Sequence, residues 1–187
     1  MKTLLLFIAA ALLVSAGRDL RAAEPDTSGA SQYCVQTGGV VVERAPVYGT
    51  NGPSSTWLRL AGTREFCKYT SPKDQSRIHI LLETLTTTSP TLAALAYYNK
   101  PPMLPPGPGN PASYYCTQLG GSDLFGGVNA AGGGWVGDDS PDEVLEACIF
   151  PDMSSIDSWG LTYNTAGIIR GIDLTTVLRY KPPAVTH

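Results

Sequence analysis

Few side chains in this sequence are spaced to do chemistry. Of its two histidines, His187 is the last residue and His79 lies inside the apolar run Ile78-His79-Ile80-Leu81-Leu82. A histidine base works when a nucleophile and an orienting carboxylate converge on it. The sequence holds no G-x-S-x-G, S-x-x-K or H-E-x-x-H pattern to announce such partners. His79 is therefore expected to be a partly buried, hydrogen-bonded structural residue, and no catalytic residue is assigned. A glycosidase-type carboxylate pair leaves no motif that would isolate it.

Asp138, Asp139, Asp142, Glu143 and Glu146 place five acids within nine residues. Calcium takes oxygen ligands from such stretches, which makes Asp138, Asp139 and Asp142 a metal candidate. Against it, the D-x-D-x-D-G spacing is missing. Ser140-Pro141-Asp142-Glu143 also reads as a helix start, with a capping serine, proline at the first position and a capping-box glutamate. Gly132-Gly133-Gly134-Trp135-Val136-Gly137 satisfies G-x-G-x-x-G, but a dinucleotide site needs a strand before it and a helix after it. Asn129-Ala130-Ala131 precedes this stretch, and Asp138-Asp139 follows it and would repel phosphate. It reads as a flexible glycine loop, no cofactor is expected, and Trp135 within it is expected to be exposed and is the binding candidate. Tyr33, Tyr115 and Trp159 lie close to cysteines or their flanking motifs and are expected in the core.

Charged residues make up 16% of the 187 and the net charge is −3, which excludes the basic footprint of a nucleic-acid binder. Lys2 followed by the apolar residues 4–14 and Val14-Ser15-Ala16 reads as a signal peptide over residues 1–16. Eleven apolar residues are too few to span a bilayer, and the first cysteine, Cys34, is too far along for a lipoprotein anchor. The expected location is periplasmic or secreted, without stable membrane insertion. Cys34, Cys67, Cys116 and Cys148 then favour two disulfides in one of three pairings.

Self-comparison is the most informative step. Residues 30–39 (ASQYCVQTGG) match residues 112–121 (ASYYCTQLGG) at seven of ten positions. Cys67 and Cys148 follow in register, each two residues after a glutamate, and each is 33 residues before a Lys-Pro-Pro. Two tandem repeats follow, 28–102 and 110–183, joined by a Pro/Gly-rich linker, 103–109, read as a semi-rigid spacer. One cysteine pair per repeat makes Cys34–Cys67 and Cys116–Cys148 the natural bridges. Whether the repeats share one core or fold as two domains stays open.

The expected class is α+β: two disulfide-stapled repeats, each a short helix with antiparallel strands. The helices end at Gly38-Gly39 and Gly120-Gly121. Strands are expected at 40–44, ended by Pro46, and at 57–60 and 66–69. Residues 78–85 are either strand or buried helix. A helix is expected over 91–98, and residues 173–180 stay ambiguous.

Residues 110–121 (NPASYYCTQLGG), with Cys148-Ile149-Phe150-Pro151-Asp152-Met153-Ser154 and Trp159, resemble the bacterial DUF333 family of small exported domains often labelled hemolysins. Met153 stands where that pattern has glycine. The first repeat has Lys68-Tyr69-Thr70-Ser71-Pro72 in place of the Phe-Pro-Asp-Gly-Ser stretch and Ile78 in place of the tryptophan. The resemblance implies an exported domain with paired cysteines and brings no catalytic residues. The expected function is a non-enzymatic binding module for a protein or cell-envelope partner, for example an inhibitor of a hydrolase. The alternatives are a membrane-active factor and a small secreted hydrolase using His79 or a carboxylate pair.

Overall fold

The computed structural model describes residues 28–105, 107, 109–123, 132–137 and 140–183. The signal segment 1–16 and Asp138 and Asp139 lie outside them. The apolar alternation after Gly39 forms β1 (Val40–Tyr48), which runs straight through Pro46 instead of ending there. The Pro46 carbonyl accepts from the Leu60 N–H at 2.8 Å. In a strand the amide and carbonyl of one residue face the same edge, so the donor that proline lacks is missing on that edge. The ladder to β5 (Gly133–Gly137) on the other edge survives.

Antiparallel neighbours extend the sheet in the order β6-β5-β1-β3-β4-β8-β7, with the short β2 (Leu58–Arg59) also on β1. Here β3 is Arg64–Thr70, β4 Arg77–Leu81, β6 Ser140–Leu145, β7 Ala147–Ile149 and β8 Ser155–Asp157. The two ends of that order, β6 and β7, are separated in sequence by Glu146 alone. The sheet therefore curls into a barrel whose seam is covalent. The expected helix start at residues 140–143 is overturned: this stretch is β6. The ambiguous run 78–85 is both elements in turn, β4 and then α2 (Leu82–Thr86).

Period-two alternation divides the sheet's side chains between two cores. Cys67, Tyr69, Ile78, Ile80, Cys148 and Ile156 point outward into a core closed by the helices. Those helices are α1 (Ser28–Gln36), α2, α3 (Leu92–Asn99), α4 (Pro111–Gln118), α5 (Ser158–Thr165) and α6 (Leu174–Val177). Val42, Phe66, Leu81, Trp135, Leu145 and Ala147 point inward and fill the barrel. The helix-side core draws on both halves of the chain, so they share one core.

Several local features recur in the two halves. Cys34 of α1 is bonded to Cys67 of β3, and Cys116 of α4 to Cys148 of β7. Each Gly-Gly has a divided role. Gly38 and Gly120 end their helices at φ +88° and +84°, a conformation glycine adopts without strain. A Cβ on Gly39 or Gly121 would collide with the adjoining disulfide. The pairing Val40↔Lys68 has its counterpart in Ser122↔Ile149. The β3–β4 turn holds Asp74-Gln75-Ser76 and the β7–β8 turn Asp152-Met153-Ser154. In both, the serine N–H and hydroxyl donate to the aspartate Oδ1, and the middle residue has φ near +60° (Gln75 59°, Met153 64°). The Asp-x-Ser turn is thus present in the first half, several residues beyond where sequence alignment places it, and Met153 adopts the backbone that glycine would favour.

The two halves meet at two strand pairs, β1 with β5 over Ala45↔Val136 to Tyr48↔Gly133 and β4 with β8 at Ile80↔Ile156. The second turn also caps the first half: Leu92 N–H donates to Asp152 Oδ2 at 2.8 Å and Ala93 N–H to Ser154 Oγ at 3.0 Å, at the start of α3. The linker is pinned as well as semi-rigid. Gln118 accepts from Leu104 N–H and donates to the Pro102 carbonyl, while the Tyr115 hydroxyl donates to the Pro101 carbonyl. Among the described residues, no helix is long and apolar enough to cross a membrane.

Candidate functional site

The barrel interior is not wholly apolar. His79 on β4, Asp157 at the end of β8 and Arg44 on β1 are 2%, 6% and 2% exposed. The β4/β8 register brings His79 opposite Asp157, with Nδ1 3.4 Å from Oδ2. Nε2 lies 3.2 Å from Arg44 Nη2. A guanidinium only donates, so Nε2 accepts, the ring is neutral and Nδ1–H donates to Asp157. Arg44 also donates from Nη1 to the Trp135 carbonyl at 3.2 Å. Asp157 Oδ1 caps α5 by accepting from Gly160 N–H at 3.0 Å. The chain Arg44–His79–Asp157 therefore links a buried cation to a buried anion through a neutral imidazole, which limits the cost of desolvating both.

His79 and Asp157 of this trio form the floor of a cleft of about 310 Å³ at the barrel mouth. Gln75, Arg77, Val144, Leu145, Glu146, Trp159 and Arg170 complete its walls. Arg170 is fixed twice: Nε donates to the Arg77 carbonyl at 3.2 Å, and its guanidinium lies 5.1 Å from the centre of the Tyr163 ring. Tyr163 packs in turn on Trp159, one helical turn earlier, with ring centres 5.9 Å apart. Glu146, at the barrel seam, accepts from Asn110 Nδ2 at 2.6 Å.

Behind Glu146 lies a buried carboxyl, Asp123. The hydroxyls of Ser113 on α4 and Ser158 on α5 both donate to its Oδ2, at 3.0 and 3.2 Å. Burial, followed by the nearby negative charge of Glu146, pushes the Asp123 carboxyl up to about 6.

The residues singled out in the sequence are mostly elsewhere. Trp135 is 6% exposed and packs edge-on against Phe66 with centroids 5.8 Å apart, so it is core and not an exposed binding residue. Its glycine-rich surroundings are strand β5 and not a loop. A Cβ on Gly134 would collide with Val144, so the glycine serves close strand packing. Asp142 lies on β6, and no group of three or more His, Cys, Asp or Glu among the described residues could hold a metal. Tyr115 is core. Tyr33 is half-buried, its hydroxyl donating to the Val177 carbonyl, and Trp159, expected in the core, is half-buried in the cleft wall.

His79 is buried and hydrogen-bonded as expected. The β4/β8 pairing makes Ser155 its counterpart in the second half. Arg44, Asp157, Asp123 and Arg170 went unread. Only Arg44 left a signal, because alternation from Val40 and Val42 puts it on the inward face.

No family model, curated protein or solved structure matches this chain.

Proposed function

We propose that this chain is an exported, non-enzymatic binding module built from two copies of a DUF333-like unit, and that it engages a cell-envelope or secreted partner through the cleft at the barrel mouth. The supporting observation is the state of His79. Both ring nitrogens are engaged, Nε2 by a guanidinium and Nδ1 by Asp157. The group best suited to proton transfer thus holds Arg44 and Asp157 in place, while Trp159, Arg77 and Arg170 line the accessible part of the cleft. A binding site needs an aromatic surface and a few placed polar groups, and that is what the cleft offers. Location outside the cytoplasm rests on the signal segment and on two buried disulfides.

The test is capture by the immobilised oxidised chain from envelope and culture extracts, beside a Trp159→Ala/Arg170→Gln double variant. A stoichiometric partner retained by the native chain and lost by the variant supports the reading. Equal retention by both, or by a reduced and alkylated sample, removes the cleft from it. Release of dye from lipid vesicles by the oxidised chain would favour the membrane-active alternative instead.

A further inference from the structure

Resting on the reading of the cleft as a binding site, we propose that it seats a zwitterionic α-amino acid unit, with ammonium and carboxylate on one carbon, free or borne by a partner through its side chain.

The lining is balanced in charge. Among its described residues, Arg77 and Arg170 stand against Glu146 and Asp157, around the neutral His79. What selects a ligand is how these charges are separated. Arg77 lies on β4, and its carbonyl holds Arg170 by Nε at 3.2 Å. Asp157 ends β8 and Glu146 directly precedes β7. In the order β4-β8-β7 the carboxylates therefore take the seam side and the arginines the β4 side. Burial first, and then the charges of Glu146 and Asp157, raise the Asp123 carboxyl behind the seam, so negative potential gathers there.

A plain carboxylate drawn to Arg170 would also face Glu146, and a plain ammonium drawn to Glu146 would also face the guanidinium. A zwitterion satisfies both. Glu146 Oε2 accepts from Asn110 at 2.6 Å, and Oε1 is left for an ammonium, which only donates. Arg170 is held by Nε and by its contact with Tyr163. Its two Nη groups form the fork that suits a carboxylate, and a side chain already ordered loses little freedom on binding. In an α-amino acid the ammonium nitrogen and the carboxylate oxygens are about 3 Å apart. A charge-assisted bond of about 2.8 Å at each end extends the reach to roughly 8 Å. That joins two sides of a cleft whose walls are one or two strand spacings of about 4.8 Å apart. Half-buried Trp159, with Val144, offers an apolar surface to the ligand's side chain. About 310 Å³ is at the small end of ligand sites and takes one such unit.

The test is a titration at neutral pH followed by the indole N–H resonance of Trp159, assigned with Trp159→Phe. The probes are leucine, leucinamide without the carboxylate, N-acetylleucine without the ammonium, and Nε-acetyl-lysine, whose longer side chain imitates attachment. Leucine is expected to shift this resonance saturably, with leucinamide and N-acetylleucine each about tenfold or more weaker. Arg170→Gln is expected to bring leucine down to the level of leucinamide. Glu146→Gln, which keeps an acceptor for Asn110, is expected to bring it to the level of N-acetylleucine, while the rest of each spectrum keeps its dispersion. Binding of Nε-acetyl-lysine like leucine supports a unit borne by a partner, and its exclusion supports a free amino acid. Leucinamide or N-acetylleucine as tight as leucine overturns the proposal and leaves the binding-module reading standing. No shift with leucine or Nε-acetyl-lysine up to about 10 mM also overturns it, and partner capture then decides the binding-module reading by itself. Hydrolysis of leucinamide to leucine and ammonia would sink the non-enzymatic reading and keep the ligand class.

Discussion

Asp123→Asn should stabilise this protein at neutral pH and do little in acid. The carboxyl is 7% exposed and pushed up to about 6 from an ordinary value of 3.8. Between those two pH values the folded chain holds a proton that the unfolded chain has released. Stability therefore falls as pH rises through that window and levels off above the folded pKa. At roughly 1.4 kcal/mol per pH unit, the full penalty is about 3 kcal/mol by pH 7.5. Both serine hydroxyls donate to the same oxygen, Oδ2, so an asparagine that places its carbonyl oxygen there keeps both bonds and loses only the buried charge. Urea melts of the oxidised protein and the variant at pH 4 and pH 7.5 measure the effect. The variant should gain about 1–3 kcal/mol at the higher pH, or several degrees in Tm for a chain of this size, and roughly nothing at the lower. A gain that is equal at both pH values, or a loss at pH 7.5, would refute the assignment of Asp123 as a buried acid strained by ionisation.

Four further perturbations address the frame. Gly121→Ala puts a Cβ into the Cys116–Cys148 bridge and should cost about 1–3 kcal/mol or leave free thiols by titration. Gly120→Ala, strained only by its φ of +84°, should cost about 1 kcal/mol with the disulfide intact. His79→Ala leaves Arg44 and Asp157 buried without their mediator and should cost about 3–5 kcal/mol in denaturant; a loss near zero would mean that water serves the pair equally well. Asp152→Ala removes an acceptor for Leu92 N–H from the start of α3, a loss of about 1 kcal/mol. Burial acts to raise the Asp152 carboxyl, but bonds from Ser154 and Leu92 outweigh it and hold it low. The deficit should therefore be complete at neutral pH and shrink as pH falls through the folded pKa, which melts at several acidic pH values would show.

The parts of this fold visible in the sequence are those fixed by local chemistry. Gly-Gly after a cysteine-bearing helix requires both a left-handed residue and a position without a side chain, and the internal match follows from that need. The cysteine pairing followed because each half carries its own pair. Trp135 was misread because glycine was taken as freedom, whereas here it permits close strand contact. Residues 140–143 were read by helix-capping rules, but they form β6, which is set by pairing with the preceding strand β5. The meeting of the buried trio could not be read, because Arg44, His79 and Asp157 come from three strands whose adjacency depends on the β4/β8 pairing. That pairing joins segments 76 residues apart by a single register contact, Ile80↔Ile156, and nothing in either segment's composition states it.

That contact also explains why the site is single in a frame with matched halves. If Ile80 and Ile156 are equivalent in the two copies, an exchange of halves carries His79 to Ser155 and Asp157 to Leu81. The inward face then bears two cross-strand pairs flanking the isoleucines: polar His79–Asp157 on one side, Leu81–Ser155 on the other. Arg44 comes from β1, and among the described residues the segment that corresponds to β1 in the second half contributes only the bridge at Ser122. Ala147 of β7 stands opposite Asp157, so Glu146 and the end of β6 lie on the side of the polar pair. Asymmetry in the closure of the barrel, and not the features that recur in the two halves, is what places the cleft. Substitutions in the shared turns and Gly-Gly pairs should therefore affect folding of the whole chain, and substitutions at Arg77, Trp159 and Arg170 should affect binding alone.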